Sequence, residues 1–153
     1  MKNNRFMEEA LAEAERAAAL GETPVGAVVV DPGGKIVGRG HNDVVGAHDP
    51  TAHAEIVAIR QACREAGSER LPGHDLYVTL EPCAMCAGAI SFARIRRLYF
   101  GAPDEKGGAV EHGVRFFSSA VCHHAPEVYG GIGETRSAAL LRDFFRELRA
   151  SKP

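Results

Sequence analysis

Three side chains in the sequence are of the types that bind zinc in proteins: His53, Cys83 and Cys86. Zinc takes four ligands in a tetrahedral arrangement, and its catalytic sites use three protein ligands and leave the fourth position to water. Glu55 lies two residues after His53 and is not needed as a ligand, so its carboxylate is free to transfer protons. Zinc lowers the pKa of a bound water molecule to roughly 7. The pattern therefore predicts a hydrolytic site with one zinc ion per subunit, in which Glu55 is the catalytic residue.

The pair Cys83 and Cys86 has two other interpretations. A Cys-x-x-Cys pair can be half of a structural zinc site or a redox-active pair. A structural site requires a fourth protein ligand, and the sequence contains no second Cys-x-x-Cys. A redox pair does not account for a histidine and a glutamate at the start of a predicted helix. The other cysteines, Cys63 and Cys122, are predicted to be free thiols, because a reducing cytosol disfavours disulfides.

The composition is that of a globular protein, since 45% of the 153 residues are hydrophobic and 25% are charged. A chain of this length is expected to form a single domain, residues 1–153. The formal net charge of −2 argues against broad binding of nucleic acids but allows a local basic surface. The sequence shows no signal-peptide pattern and no apolar run of the roughly 18 residues that a membrane span needs. We therefore expect a cytoplasmic protein without membrane partners.

Apolar periodicity predicts helices and strands that alternate after an initial β-hairpin. The predicted helices cover residues 6–20, 51–66, 82–93 and 134–150, and the predicted strands cover residues 25–30, 35–40, 76–80, 97–101 and 127–129. The glycine-containing stretch 102–121 is expected to be mainly loop. This order favours an α/β fold, a three-layer α/β/α sandwich with a central mixed sheet of about five strands.

Both zinc-binding segments are expected at the start of a helix. Thr51 is predicted to cap the second helix, Gly67 to end it and Pro82 to open the third. His53 and Cys83 then lie in first turns, where the helix dipole favours thiolates. Ligands in such sheets bind beyond the C-terminal ends of strands, where helices begin. The two helices are therefore expected to bring their first turns to one metal ion.

The combination His-x-Glu followed by Pro-Cys-x-x-Cys is typical of zinc-dependent base deaminases. The flanking sequence resembles the bacterial tRNA-specific adenosine deaminases over nearly the whole chain. The resemblance depends on residues 24–28, 48–56 and 76–90, and it continues to residues 143–146. The zinc motif alone specifies only the wider cytidine deaminase-like superfamily, and the flanking blocks narrow it to the tRNA enzymes.

This resemblance implies a cytidine deaminase-like fold and a homodimer that hydrolytically deaminates adenosine to inosine at the wobble position of an arginine tRNA anticodon. His53, Cys83 and Cys86 match the zinc ligands of the family, and Glu55 matches its proton shuttle. Asn42 matches the asparagine that holds the flipped base. The other predicted substrate contacts are the backbone N–H of Ala54, Asp104 at the nucleotide backbone, Lys106 at a phosphate and Phe144 stacked on a neighbouring base.

Some of these contacts have simpler alternatives. Asn42 can be a turn former, Asp104 a solvated loop carboxylate and Phe144 a core residue. On the last helix, Arg142, Arg146 and Arg149 share one face, which can receive RNA phosphates or simply face solvent. For the homodimer, the small residues of helix 84–93 and Ile95 suggest an apolar contact.

The stretch 108–126 departs from the best-known members of the family, which weakens any transfer of RNA-contact roles to it. His123 and His124 stand beside Cys122 there, but a second metal site is not expected, because companion ligands at suitable spacing are absent from the sequence.

Two other functions compete with tRNA deamination. A deaminase of free guanine, cytosine or a nucleoside would use the same zinc chemistry, and would be expected to close its pocket with a lid. A non-catalytic RNA-binding subunit would keep zinc for structure. The presence of Glu55 argues against this second alternative, since such a subunit has no use for that carboxylate.

Overall fold

Helices and strands alternate in the computed structural model, which describes residues 2–151 and the side chains of residues 5–151. The helices are α1 (Lys2–Ala19), α2 (Ala54–Ala66), α3 (Ala84–Phe92) and α4 (Glu134–Ala150), and the strands are β1 (Gly26–Val30), β2 (Ile36–His41), β3 (Asp75–Leu80), β4 (Arg97–Ala102) and β5 (Glu127–Tyr129). The ends of the predicted domain, residues 1 and 152–153, lie outside the described residues. Among residues 2–151, no helix has both the length and the apolar character needed to cross a bilayer.

The five strands form one mixed sheet in the order β2-β1-β3-β4-β5, which confirms the predicted architecture. β1 runs antiparallel to β2 and β3, whereas β3, β4 and β5 are parallel. Consequently β2, β3 and β4 all end at the edge where β1 begins. Gly26 pairs with His41 there, and Leu80 pairs with Ala102. The residues that follow these strand ends are therefore brought together, and we call this the site edge.

Alternating side chains of the sheet build a core on each face. Val29, Val78 and Phe100 point to the face covered by α2 and α3. Tyr77 and Tyr99 point to the opposite face, where they pack with α1. Burial of each large apolar side chain contributes about 1.5–3 kcal/mol relative to exposure. The two cores confirm the predicted three-layer sandwich.

Helix α2 lies directly on β2 because two glycines leave room for its backbone. A Cβ atom on Gly38 would lie 2.2 Å from the carbonyl oxygen of Ala58. A Cβ atom on Gly40 would lie 2.5 Å from the carbonyl oxygen of Ala54. This close approach fixes the start of α2 against the site edge.

The predicted cap at Thr51 is wrong. The N-cap of α2 is His53, whose backbone is extended (φ −72°, ψ 153°). Thr51 donates its hydroxyl and its backbone N–H to Asp49 Oδ1 instead, at 2.7 and 2.9 Å, so it orders the preceding loop. Gly67 ends α2 in the left-handed conformation (φ 66°), as predicted.

Substitution of Gly38 by alanine should destabilise the protein, because its methyl group would push the Ala58 carbonyl away from β2. We expect a loss of about 1–3 kcal/mol in the free energy of unfolding, the usual cost of overpacking. Urea denaturation followed by circular dichroism measures it. Gly33→Ala is the control, since its nearest neighbour would be Asp31 Oδ1 at 3.4 Å, an ordinary contact. Equal stability of the two variants would contradict the proposed close packing.

Candidate active site

Three donor atoms meet at the site edge. His53 is the N-cap of α2, Cys83 is the N-cap of α3, and Cys86 lies in the first turn of α3. His53 Nδ1 lies 3.6 Å from Cys83 Sγ and 3.6 Å from Cys86 Sγ, and all three donors lie within 4.8 Å of one another. Bonds of about 2.0–2.1 Å to nitrogen and about 2.3 Å to sulfur would separate tetrahedral nitrogen and sulfur ligands by about 3.5 Å. The donor set and its spacing therefore fit zinc.

The backbone explains why these side chains are available to a metal. His53 and Cys83 have the extended conformation of N-cap residues, yet neither side chain caps its own helix. Asn42 accepts a hydrogen bond from the first turn of α2 instead, because its Oδ1 lies 2.8 Å from the backbone N of Ala54. The imidazole and the thiol are thus left to face each other at the positive ends of two helix dipoles, which favour thiolates.

The hydrogen bond between Ala54 and Asn42 also bears on two predicted substrate contacts. The Ala54 N–H is committed to Asn42, and the residue is fully buried, so the expected donation from this N–H to the base is not supported. Asn42 lines the cavity beside His53 with its Oδ1 occupied, which leaves its side-chain NH2 group as the donor for a ligand.

Glu55 is a buried ionisable group that lines the cavity. Its residue is 3% exposed, and its Oε1 atom meets no hydrogen-bond donor among the described residues. Burial raises the pKa of Glu55 to about 7. An unpaired buried carboxylate oxygen is costly, and such groups concentrate at functional sites. This orphaned oxygen beside the three donors is what a site for zinc and water requires.

Hydrogen bonds among the three donor side chains shift their pKa values. The hydrogen bond from Cys86 lowers the pKa of Cys83 to about 4. The same hydrogen bond, together with burial, raises the pKa of Cys86. The hydrogen bond to Cys83 raises the pKa of His53. Because zinc binds thiolates and neutral imidazole, metal binding at this centre would release the Cys86 proton.

The cavity in front of the donors has a volume of about 140 Å³ and adjoins a groove along α4, with which it shares Thr23, Asn42 and His53 as lining residues. Its lining residues are Thr23, Val25, Asn42, His53, Glu55, Leu80, Glu81, Cys83, Asp104 and Gly107. Two adjoining cavities of about 450 and 360 Å³ share Thr23 with it, and both are lined by Phe145. We call this extension the α4 groove. Sequence reasoning did not identify Thr23, Val25 or Phe145 as cavity residues, because their place in the lining depends on long-range packing.

Two further buried carboxylates hold the loops around the cavity. Glu22 accepts the backbone N–H groups of Val45 and Gly46, at 3.2 and 2.7 Å, and so orders the loop before α2. Glu81 accepts N–H groups from residues 104–112 on the other side. Burial opposes ionisation of Glu81, but the hydrogen bonds from Asp104 and His112 hold its pKa below the usual range.

The remaining predicted contact residues lie around the mouth of the cavity. Asp104 lines it, while its Oδ1 accepts the N–H groups of Lys106 and Gly107 at 3.2 and 2.9 Å. Lys106 is exposed, so its ammonium group can approach a phosphate. Phe144 lines the α4 groove and packs edge-on against Phe145, with ring centroids 5.4 Å apart. Their roles with substrate remain predictions.

The stretch containing His123 and His124 is tied down by other contacts. His124 Nε2 lies 2.8 Å from the Ile95 carbonyl oxygen, and Cys122 donates to the His124 carbonyl oxygen at 3.2 Å. Within residues 5–151, the only group of side chains spaced to bind a metal is His53, Cys83 and Cys86. Cys63 and Cys122 are free and half-buried, in line with their predicted state.

Comparison with known proteins places these features in a family. Residues 1–102 match the model described as the cytidine and deoxycytidylate deaminase zinc-binding region. The chain is 61% identical over 148 residues to a tRNA-specific adenosine deaminase of Agrobacterium fabrum, covering 97% of each protein. It also matches a structure from studies of A-to-I editing by tRNA:A34 deaminases at the wobble position, with 61% identity, a TM-score of 0.88, and coverage of 90% of this chain and 99% of that one.

A more distant structural neighbour has a different substrate. The guanine deaminase of Bacillus subtilis is 40% identical, with a TM-score of 0.64 and coverage of 67% of this chain and 66% of that one. The fold is therefore shared with an enzyme named for a free base, and the choice between substrates must come from the surroundings of the cavity.

Replacement of Cys86 by serine should remove most of the bound zinc, because a serine hydroxyl is a poor zinc ligand. Loss of the metal should also lower Tm by at least about 5 °C, since the ion stabilises only the folded state. Elemental analysis and differential scanning calorimetry measure the two effects. Cys63→Ser is the control and should retain zinc. A Cys86→Ser protein with a full complement of zinc would refute the assigned ligand.

Proposed function

Since this chain belongs to the tRNA-specific adenosine deaminases, within the cytidine and deoxycytidylate deaminase zinc-binding family, we propose that it converts adenosine to inosine at the wobble position of a tRNA anticodon. The observation that carries this proposal is the orphaned carboxylate oxygen of Glu55 beside the three donors, in a cavity that adjoins the α4 groove. We propose one domain, the cytoplasm as its compartment, and the anticodon of an arginine tRNA as the substrate.

In this proposal His53, Cys83 and Cys86 hold the zinc ion. When bound, zinc acidifies a water molecule and so supplies the nucleophile at neutral pH. Glu55 would accept a proton at its carboxylate from the attacking water and deliver that proton to a ring nitrogen of adenine, while the water oxygen adds to C6. Glu55 would then take the remaining proton of the hydroxyl added at C6 and pass it to the departing amine, so that the C6 carbonyl of inosine forms as the C–N bond breaks and ammonia leaves. A carboxyl group whose pKa lies near 7 is suited to both transfers.

The residues around the cavity would orient the base. Asn42 offers its NH2 group to a purine acceptor, and Ala54 fixes the direction of that group through its N–H. The anticodon loop is single-stranded, so turning one nucleotide into the cavity costs only a few kcal/mol of unstacking.

The α4 groove would receive the neighbouring nucleotides. Phe144 and Phe145 line it and offer ring faces or edges for stacking. Arg142, Arg146 and Arg149 are exposed on another face of the same helix, where they can meet phosphates. A local basic helix of this kind is compatible with the net charge of −2, because affinity depends on the few phosphates in contact.

The open groove distinguishes tRNA from a free base. A deaminase of free guanine gains from enclosing its small substrate, since ligand pockets bury most of the ligand surface. Here the cavity opens past Thr23 toward Phe145 on α4, which leaves a path for a polynucleotide chain.

A homodimer is also proposed, through the exposed apolar side chains on and near α3. Phe92 is 75% exposed, and Met85 and Val121 are exposed as well. Ser91 Oγ lies 3.6 Å from Cys122 Sγ, so the end of α3 that carries Phe92 is in contact with the segment that carries Val121. Solvent exposure of such side chains together marks a surface for association. The prediction that Ile95 takes part in this contact is wrong, because Ile95 is fully buried in the core.

The substrate is tested by incubating zinc-loaded protein with an arginine tRNA anticodon stem-loop and, separately, with guanine, cytosine and adenosine. We expect inosine at the wobble position and ammonia in equal amounts from the stem-loop alone. An unchanged stem-loop together with ammonia from guanine or cytosine would overturn the proposal in favour of a free-base deaminase.

Glu55→Gln should keep the fold and the zinc ion but lose turnover by about 10³-fold, because an amide cannot shuttle protons. The fold should persist because the substitution removes a buried charge rather than creating one. Single-turnover deamination and zinc content are measured together. Glu65→Gln, an exposed substitution on the same helix, is the control. Loss of zinc in parallel with activity would contradict the role of Glu55.

Phe92→Glu should convert the dimer to a monomer at micromolar concentration, since a charge would be buried in the apolar contact. Sedimentation velocity measures the mass. Leu20→Glu is the matched control, because Leu20 is an exposed apolar residue at the end of α1, on the other face of the sheet. A wild-type protein that sediments as a monomer, or a Phe92→Glu dimer, would exclude this surface.

A further inference from the structure

The side chain of Glu81 is fully buried and accepts five hydrogen bonds from one segment of the chain. Its Oε1 accepts the Asp104 N–H at 3.0 Å and faces His112 Nδ1 at 2.8 Å. Its Oε2 accepts the N–H groups of Val110, Glu111 and His112 at 3.2, 2.9 and 3.1 Å. The donors all belong to residues 104–112, which we call the wall segment. A carboxylate that accepts several N–H groups is a strong fixed point for the backbone around it.

The wall segment is folded closely onto this carboxylate. Gly108 is buried, and a Cβ atom there would lie 2.5 Å from Glu81 Oε2 and 2.5 Å from the Asp104 carbonyl oxygen. The next residue, Ala109, donates its N–H to the Pro82 carbonyl oxygen at 2.9 Å. The segment is therefore attached to the same turn, residues 81–83, that carries Cys83.

The other side of the wall segment faces the cavity. Asp104 and Gly107 line it together with Glu55. The side chain of Asp104 accepts the Gly107 N–H at 2.9 Å, so the part of the segment that meets the cavity is a closed turn. The hydrogen bond from the Asp104 N–H to Glu81 fixes the position of this turn on the side away from the cavity.

We propose that Glu81, together with His112, is a positioning residue that fixes the wall segment against the base cavity and thereby sets affinity for the substrate. The proposal rests on the proposed function, because the substrate that meets the wall is taken to be the anticodon. The Glu81 carboxylate is 0% exposed, and both of its oxygens accept hydrogen bonds from the wall segment. Glu81 therefore acts on the substrate only through the wall segment. We call the hydrogen bonds between Glu81 and the wall segment the clasp. Without the clasp, the wall segment must become ordered when the substrate binds. The free-energy cost of that ordering weakens substrate binding and does not slow the chemical step.

Two variants loosen the clasp to different degrees. Glu81→Gln replaces one oxygen by an NH2 group, which places donors opposite donors at a buried position. His112→Ala removes only the imidazole, whose side chain is 34% exposed, and leaves all four backbone donors in place. His112→Ala should therefore fold even where Glu81→Gln does not. His123→Ala is the matched control, since His123 is an exposed histidine beyond the wall segment.

Steady-state kinetics on the anticodon stem-loop separate positioning from simple loss of folded protein. KM should rise by about 10-fold or more in Glu81→Gln and by about 3-fold in His112→Ala, with kcat within about 3-fold of wild type and full zinc content. His123→Ala should match wild type. An unchanged KM, with kcat falling in proportion to the folded or zinc-loaded fraction, would show a purely structural role and overturn the proposal.

Amide hydrogen exchange of the same proteins supplies a readout that does not depend on the reaction. The N–H groups of residues 104–112 should exchange faster in Glu81→Gln and His112→Ala, while those of α2 and β3 keep their protection. Unchanged exchange in the wall segment overturns the clasp even in an active enzyme. If the wild type fails to deaminate the stem-loop but the wall segment exchanges faster in the variants, the role of the clasp stands and the proposed substrate is wrong.

Discussion

The convergence of two helix N-termini on three donor atoms is the constraint on which the rest of this structure depends. The separation of 3.6 Å between His53 Nδ1 and each sulfur requires α2 and α3 to begin at one edge of the sheet. The strand order meets that requirement, because β2 and β3 end at the edge where β1 begins. The glycines of β2 then let α2 settle close enough for His53 to reach the thiols.

Three buried carboxylates surround the cavity, and their hydrogen bonds separate structural from chemical roles. Glu22 and Glu81 are occupied by backbone N–H groups and hold the two loops that border the site. Glu55 keeps one buried oxygen without a donor among the described residues, at the place where the proposed mechanism requires proton transfer. Desolvation is unfavourable for all three charges, and hydrogen bonds compensate it at Glu22 and Glu81 but not at Glu55 Oε1, which supports the proposed role of Glu55 as the proton-transferring group.

The sequence predicted local features well and long-range partners poorly. Apolar periodicity located the helices and strands, and Gly67 marked a helix end, because these signals lie within a few neighbouring residues. The prediction of a helix cap at Thr51 was wrong for the same reason. Threonine is a common N-cap residue, but here its hydroxyl donates a hydrogen bond to Asp49. Nothing local in the sequence indicates that Asn42 binds the Ala54 N–H or that Glu81 holds a segment 23–31 residues away. The His-x-Glu and Cys-x-x-Cys motifs predicted the metal centre because zinc chemistry restricts both residue type and spacing.

X-ray absorption at the zinc edge of the native protein tests the central claim most directly. The account predicts one zinc ion per chain with two sulfur ligands at about 2.3 Å and two nitrogen or oxygen ligands at about 2.0–2.1 Å, one of them exchangeable with solvent. A spectrum with four protein ligands, or a native protein without tightly bound zinc, would contradict an open hydrolytic centre.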